Sequence, residues 1–255
     1  MTQNLLNRVN LEARRTLKSD DPEAVHDLRV AIRRFLQALQ VFKSLLPGKE
    51  RKKGRRSLKV LLTGAGAVRN CDITLHFLGE KGHKSIRAQC EAERRSTGTA
   101  LAKSLRRWVE HDSSHFAPGK MAVSVEETAD QVLPAVAREC LKRGVAAAEG
   151  ASAEQLHQFR ISAKKLRYTI ELFASRDVRS LRAWLDQIKK VQTLLGDIND
   201  CETARQMVSR FGGGKKLDGQ LKREQEKRVR DFHQHWTEEL AGQWKKRAQT
   251  KLHSS

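Results

Sequence analysis

The sequence predicts an all-α protein built by internal duplication, on three observations. Apolar residues recur at steps of three and four along most of the chain. Prolines number only 4 and aromatics make up 5 %, while the alternating Val-, Ile- and Tyr-rich runs of β-strands are absent. Two segments also recur in the same order at nearly the same spacing.

Residues 25–42 read VHDLRVAIRRFLQALQVF and residues 156–173 read LHQFRISAKKLRYTIELF. An offset of 131 places His26 on His157, Arg29 on Arg160, Arg33 and Arg34 on Lys164 and Lys165, and Phe42 on Phe173. A second match, LKVLLTGAGAVRNCD at 58–72 against IKKVQTLLGDINDCE at 188–202, has an offset of 130. It aligns Lys59 with Lys189, Gly66 with Gly196, Asn70 with Asp200 and Cys71 with Cys201. The two halves are assigned to residues 1–118 and 122–255, joined around 113–121.

The first helix is expected near 3–18. The next starts at Asp21-Pro22, a side-chain cap followed by the proline suited to a first turn. Its apolar stripe is Val25, Leu28, Ile32, Phe35, Leu39 and Phe42. Helices follow near 49–63, 69–79, 83–112 and 122–148, with Gly64 and Gly66 read as a break. In the second half, Ser152 and Gln155 form a capping-box pattern before the stripe Leu156, Phe159, Ala163, Leu166, Ile170 and Phe173. Helices near 177–194, 198–210 and 216–248 complete the chain, with Gly212 to Gly214 as a turn. The expected architecture is two helical bundles related by an approximate two-fold axis.

Against 30 Asp and Glu stand 50 Lys and Arg, a net charge of +20. So large a surplus repels itself in a compact state, and a polyanionic partner is the usual neutraliser. Cys71, Cys90, Cys140 and Cys201 form no CxxC pair and read as reduced thiols. The N-terminal MTQNLLNRVNLEARR lacks the apolar core of a secretory signal. No run approaches the roughly 18 apolar residues of a membrane span, so a cytoplasmic protein is expected.

His26, Arg29 and Arg33 lie one position after the apolar stripe and so line one flank of their helix. His157, Arg160, Lys164 and Arg167 repeat this, and no acidic residue falls within either series. Uncompensated like charges on one helix face repel, and a bound anion relieves them. Arginine forks suit phosphate oxygens, and lysine supplies a point charge. Histidine near a helix start adds a donor where the helix dipole favours anions. Arg34 and Lys165 lie about 100° further round and extend the patch. A two-fold arrangement would bring the two stripes to a shared basic groove or pore.

The motifs VHDLRVAIRR at 25–34, LHQFRISAKKLRY at 156–168 and LLGDIND at 194–200 resemble the CHAD family, the conserved-histidine α-helical domain, over roughly residues 4–245. The resemblance implies a single domain of two four-helix bundles with pseudo-two-fold symmetry and a basic central pore. It also implies non-catalytic binding of inorganic polyphosphate, in some members at polyphosphate granules. Carried over, the binding surface comprises His26, Arg29, Arg33, Arg34, His157, Arg160, Lys164, Lys165 and Arg167, with Lys59, Arg69 and Lys189 nearby. The family usually has Arg-Asp where this chain has Arg69-Asn70. That loss either frees Arg69 for ligand or removes a helix-pairing bond. Leu36 occupies the first-half position of Arg167, so the stripes are unequal and the second half is expected to make the tighter contacts.

The sequence carries no P-loop, no Gly-x-Ser-x-Gly and no HExxH, and neither catalysis nor a cofactor is expected. Asp197 and Asp200 read as helix caps beside Gly196, and His111 and His115 lack a third metal ligand nearby. Sequence-nonspecific nucleic-acid binding is the main alternative, with RKKGRR at 51–56 as a grip; docking onto an acidic protein is a third.

Overall fold

The computed structural model describes residues 2–43, 48–79, 83–116, 125–148, 152–173, 178–240 and 242. Among them every regular element is helical. In order they are α1 (Thr2–Lys18), α2 (Pro22–Val41), α3 (Gly48–Leu78), α4 (Lys84–Glu110), α5 (Val125–Ala148), α6 (Ala153–Leu172), α7 (Val178–Arg210) and α8 (Lys215–His235). A short 3-10 turn (Asp112–His115) follows α4, and a π-helical turn (Trp236–Leu240) follows α8.

Two of the expected interruptions are absent. Helix α3 runs through Gly64 and Gly66, and α7 runs through Gly196. A glycine inside a helix costs about 1 kcal/mol. Breaking α3 would cost more, because Leu58, Leu61, Ala65, Val68 and Cys71 form one buried stripe across the glycines. Ile188, Val191, Leu195, Ile198 and Cys201 do the same across Gly196. Asp197 and Asp200 therefore lie mid-helix and cap nothing.

The chain divides into two compact units. One contains residues 1–122 and 203–221, the other 123–202 and 222–255. The first is packed around Val9, Leu28, Ile32, Phe35, Leu58 and Trp108. Trp108 is fully buried, and its indole N–H donates to Asn10 Oδ1 at 2.9 Å, so the one polar atom of that ring is satisfied. Further cores in the same unit join Leu78 to Ala204, Val208, Leu217 and Leu221, and Cys71 and Cys90 to Met207. The second unit is packed around Phe159, Leu166, Ile188, Val191, Phe232 and Trp236.

The starts of α2 and α6 follow the expected chemistry. The Asp21 carboxylate accepts from the Glu23 amide at 2.9 Å, and Pro22 opens the helix. Ser152 and Gln155 exchange reciprocal bonds of 3.2 and 2.8 Å, a complete capping box. These caps fix the start of each helix within one turn of its histidine.

Three glycines test the packing. A Cβ on Gly54 would stand 1.9 Å from the Phe116 ring, and one on Gly144 would stand 2.5 Å from the Trp236 ring. A Cβ on Gly98, inside α4, would meet nothing within 4 Å. Gly54→Ala and Gly144→Ala are each expected to lose about 1–3 kcal/mol by overpacking, and Gly98→Ala to gain up to about 1 kcal/mol, in urea unfolding.

Candidate polyanion-binding site

Helices α2 and α3 are antiparallel, and three contacts share one register. Arg29 meets Gly66, Arg55 Nη1 donates to Gln40 Oε1 at 2.8 Å, and His26 feels the Arg69 charge. Each step forward on α2 is matched by an equal step back on α3. Buried Val25, Leu28, Ile32, Phe35 and Leu39 turn α2 inward and leave His26, Arg29 and Arg33 on its flank. His26 is exposed, while Arg29 and Arg33 are half-buried.

Gly66 decides how close the two helices' side chains come. A Cβ there would lie 2.8 Å from Arg29 Nη1, inside van der Waals contact, so any other residue would force the guanidinium to shift. One turn on, Arg69 Nη1 lies 4.0 Å from Glu23 Oε1 on the first turn of α2. Arg69 thus reaches the helix that carries His26, despite the missing neighbouring carboxylate. Partial desolvation, then Arg69, push the His26 pKa below its ordinary 6.5, with Arg29 adding to the effect; Glu23 and Asp27 oppose it. Arg15 takes up Asp27 at 2.7 Å. Arg33 and the exposed Lys59 have no ion-pair partner among the described residues. In the α2–α3 register, Lys59 falls opposite Leu36.

The second copy repeats the flank. On α6, His157 and Lys165 are exposed, and Arg160 and Lys164 are half-buried beside the buried stripe. Arg167 is committed elsewhere. Its Nε donates to Glu171 at 2.8 Å and its Nη1 to Gln192 Oε1 at 2.9 Å. Gln192 in turn donates to the Ala163 carbonyl at 2.9 Å, tying α7 to α6. Exposed Lys189 pairs with Asp186 at 3.2 Å. A Cβ on Gly196 would meet nothing within 4 Å, so the Arg29–Gly66 seat has no counterpart there. Asp197 lies 3.4 Å from Arg228 Nη1, and burial raises its pKa against that attraction.

Three contributors escaped the sequence reading: Gly66 as the seat of Arg29, Glu23 as the counter-charge of Arg69, and Gln192 as the group that occupies Arg167. The Gly66–Gly196 match in the repeat is the sequence signal of the first. Among the described residues, no group of three His, Cys, Asp or Glu is arranged to hold a metal ion. No helix there is long and apolar enough to cross a membrane.

The chain is similar to solved structures along its whole length. The crystal structure of the CHAD domain from the plant Ricinus communis superposes with a TM-score of 0.67 at 20 % identity, covering 100 % of this chain and 90 % of that one. PptA from Streptomyces chartreusis superposes with a TM-score of 0.57 at 14 % identity, covering 99 % of each chain. No curated protein sequence matches. The CHAD domain family matches residues 1–209, and the chain belongs to the CHAD domain family.

Proposed function

We propose that this chain is a non-catalytic binder of inorganic polyphosphate, held by His26, Arg29, Arg33 and Arg69 in one unit and by His157, Arg160, Lys164 and Lys165 in the other. The observation that carries the reading is the placement of Arg29 over Gly66 beside His26 and Arg69, with the Glu23 carboxylate 4.0 Å from Arg69. Forked and directional donors suit phosphate oxygens, and the burial of Phe35, Phe159 and Tyr168 on α2 and α6 suits a polymer without bases. Family membership and the net charge of +20 support the same reading. It includes the two pseudo-symmetric four-helix bundles and the shared basic groove that the family implies, and a cytoplasmic protein that can localise to polyphosphate granules. Arg34, Lys59, Arg167 and Lys189 serve at the margins, Arg167 chiefly by pairing α6 with α7.

Titration with long-chain polyphosphate, single-stranded RNA and duplex DNA at physiological salt tests the class of ligand. Polyphosphate is expected to bind tightest, with affinity falling steeply as salt rises. Equal or tighter nucleic-acid binding would overturn the proposal. The combined variant His26→Ala, Arg29→Ala, Arg160→Ala is expected to lose at least tenfold more affinity than Lys52→Ala, Lys53→Ala, Arg56→Ala, because hydrogen bonds to charged groups contribute about 1.5–3 kcal/mol each. Equal losses would place the ligand elsewhere.

Gly66→Ala separates binding from stability. The new methyl group displaces Arg29 while raising helix propensity by about 1 kcal/mol. Affinity should drop several-fold with no loss in unfolding free energy, whereas Gly196→Ala should leave affinity unchanged.

The lowered His26 pKa gives a pH dependence with a fixed sign. The free protein holds this imidazole neutral at pH 7, and a bound phosphate favours its protonated form. Binding therefore takes up a proton, and affinity rises as pH falls from 7 through 6.5 and below. Calorimetry in buffers of different ionisation enthalpy should detect the uptake, and His26→Gln should reduce it.

A further inference from the structure

The four cysteines are free and buried, yet they are not alike. Cys71 on α3 and Cys90 on α4 meet in the first unit, both fully buried. The Cys90 thiol donates to the Cys71 carbonyl at 3.5 Å, and the two side chains pack in one buried cluster. Cys140 and Cys201 have no thiol neighbour, and burial pushes their pKa values up to about 12 and about 11. In the close pair, the neighbouring Cys90 thiol lowers the Cys71 pKa against burial, while Cys90 is raised. Although Cys201 is the repeat mate of Cys71, the paired arrangement occurs in the first copy alone among the described residues.

We propose that Cys71 and Cys90 are an oxidation site that closes to a reversible disulfide between α3 and α4 on exposure to a peroxide. The Cys71 thiolate attacks one peroxide oxygen of hydrogen peroxide, the O–O bond breaks, and hydroxide leaves with Cys71 as a sulfenic acid. The Cys90 sulfur then attacks the Cys71 sulfur. The S–O bond breaks, and water carries off the hydroxyl group and the Cys90 proton. Sulfur loses two electrons in all, and the peroxide gains them. A dithiol reductant reverses the reaction.

The cover over the pair is the end of α7. Met207 and Phe211 pack on the two cysteines, and Gly212, with φ +72°, ends the helix immediately beyond. That end is fastened to α4 by the Arg210–Glu93 ion pair and by Gln89 Nε2 donating to the Phe211 carbonyl at 3.5 Å. Both ties lie at the surface, where such contacts are weak. Lifting this last turn gives a water-sized oxidant a path to the sulfurs without opening the Trp108 core.

The test treats the full-length protein with graded hydrogen peroxide, blocks remaining thiols by alkylation, and maps peptides by mass spectrometry without reduction. The expected product is the Cys71–Cys90 cross-linked peptide, two hydrogens lighter than the two thiol peptides, which disappears with dithiothreitol. Arg210→Ala should form it several-fold faster, and Cys90→Ser should leave a Cys71 sulfenic acid that dimedone traps. Oxidation that begins at Cys140 or Cys201, a different pairing, or Cys71 running to sulfinic acid with Cys90 still free would each overturn the proposal. Should Cys90→Ser fail to fold, the peptide map of the unsubstituted protein decides the matter alone.

Discussion

Burial of one apolar stripe governs where everything else on α2 can go. Val25, Leu28, Ile32, Phe35 and Leu39 are removed from water at steps of three and four, and each such side chain contributes about 1.5–3 kcal/mol by leaving solvent. With that face fixed, the residues one position later must stand on its border. His26, Arg29 and Arg33 have no freedom to be central or remote. The same constraint acts on α6 through Leu156, Phe159, Ala163, Leu166 and Ile170. Hydrophobic packing thus orients a row of cations, and the caps at Asp21 and Ser152 set the height at which each row begins.

The sequence repeat carries this device twice, and the two copies differ in how they use it. In the first, Gly66 admits the Arg29 guanidinium against α3, and Arg69 supplies a further cation to the start of α2. In the second, Gln192 occupies a position that is Leu62 in the first copy and holds Arg167 to α6 and α7. The arginine that made the second stripe look richer in the sequence works partly as a pairing group between helices. Conversely Asn70, which looked like a loss, stands beside an arginine that reaches its target through Glu23 instead. Equal motifs therefore do not imply equal sites.

The helical class, both stripes and both caps were legible because each rests on local periodicity or on side-chain bonds within one turn. The continuity of α3 and α7 was not legible, since a glycine looks the same whether it ends a helix or admits a neighbour. Leu101 beside Gly64 and Arg29 over Gly66 decide the matter, and both come from other helices. Arg69 and Arg167 were found as residues but not as partners, for the same reason: Glu23 and Gln192 are distant in sequence. The membership of residues 203–221 in the first unit lay beyond any reading of the duplication, which assigned them to the second half.

That membership bears on how the chain assembles as it is synthesised. Once residue 122 has emerged, α1 to α4 can already close around Phe35, Leu58 and Trp108. The surface formed by Leu78, Cys71 and Cys90 still waits for Ala204, Met207, Val208, Leu217 and Leu221. For the roughly 80 residues between, an apolar face of a nascent unit stands open while the ribosome adds about 5–20 residues each second. The first unit to begin folding is thus completed only after most of the second has been made, and during those several seconds its two paired thiols lack their cover.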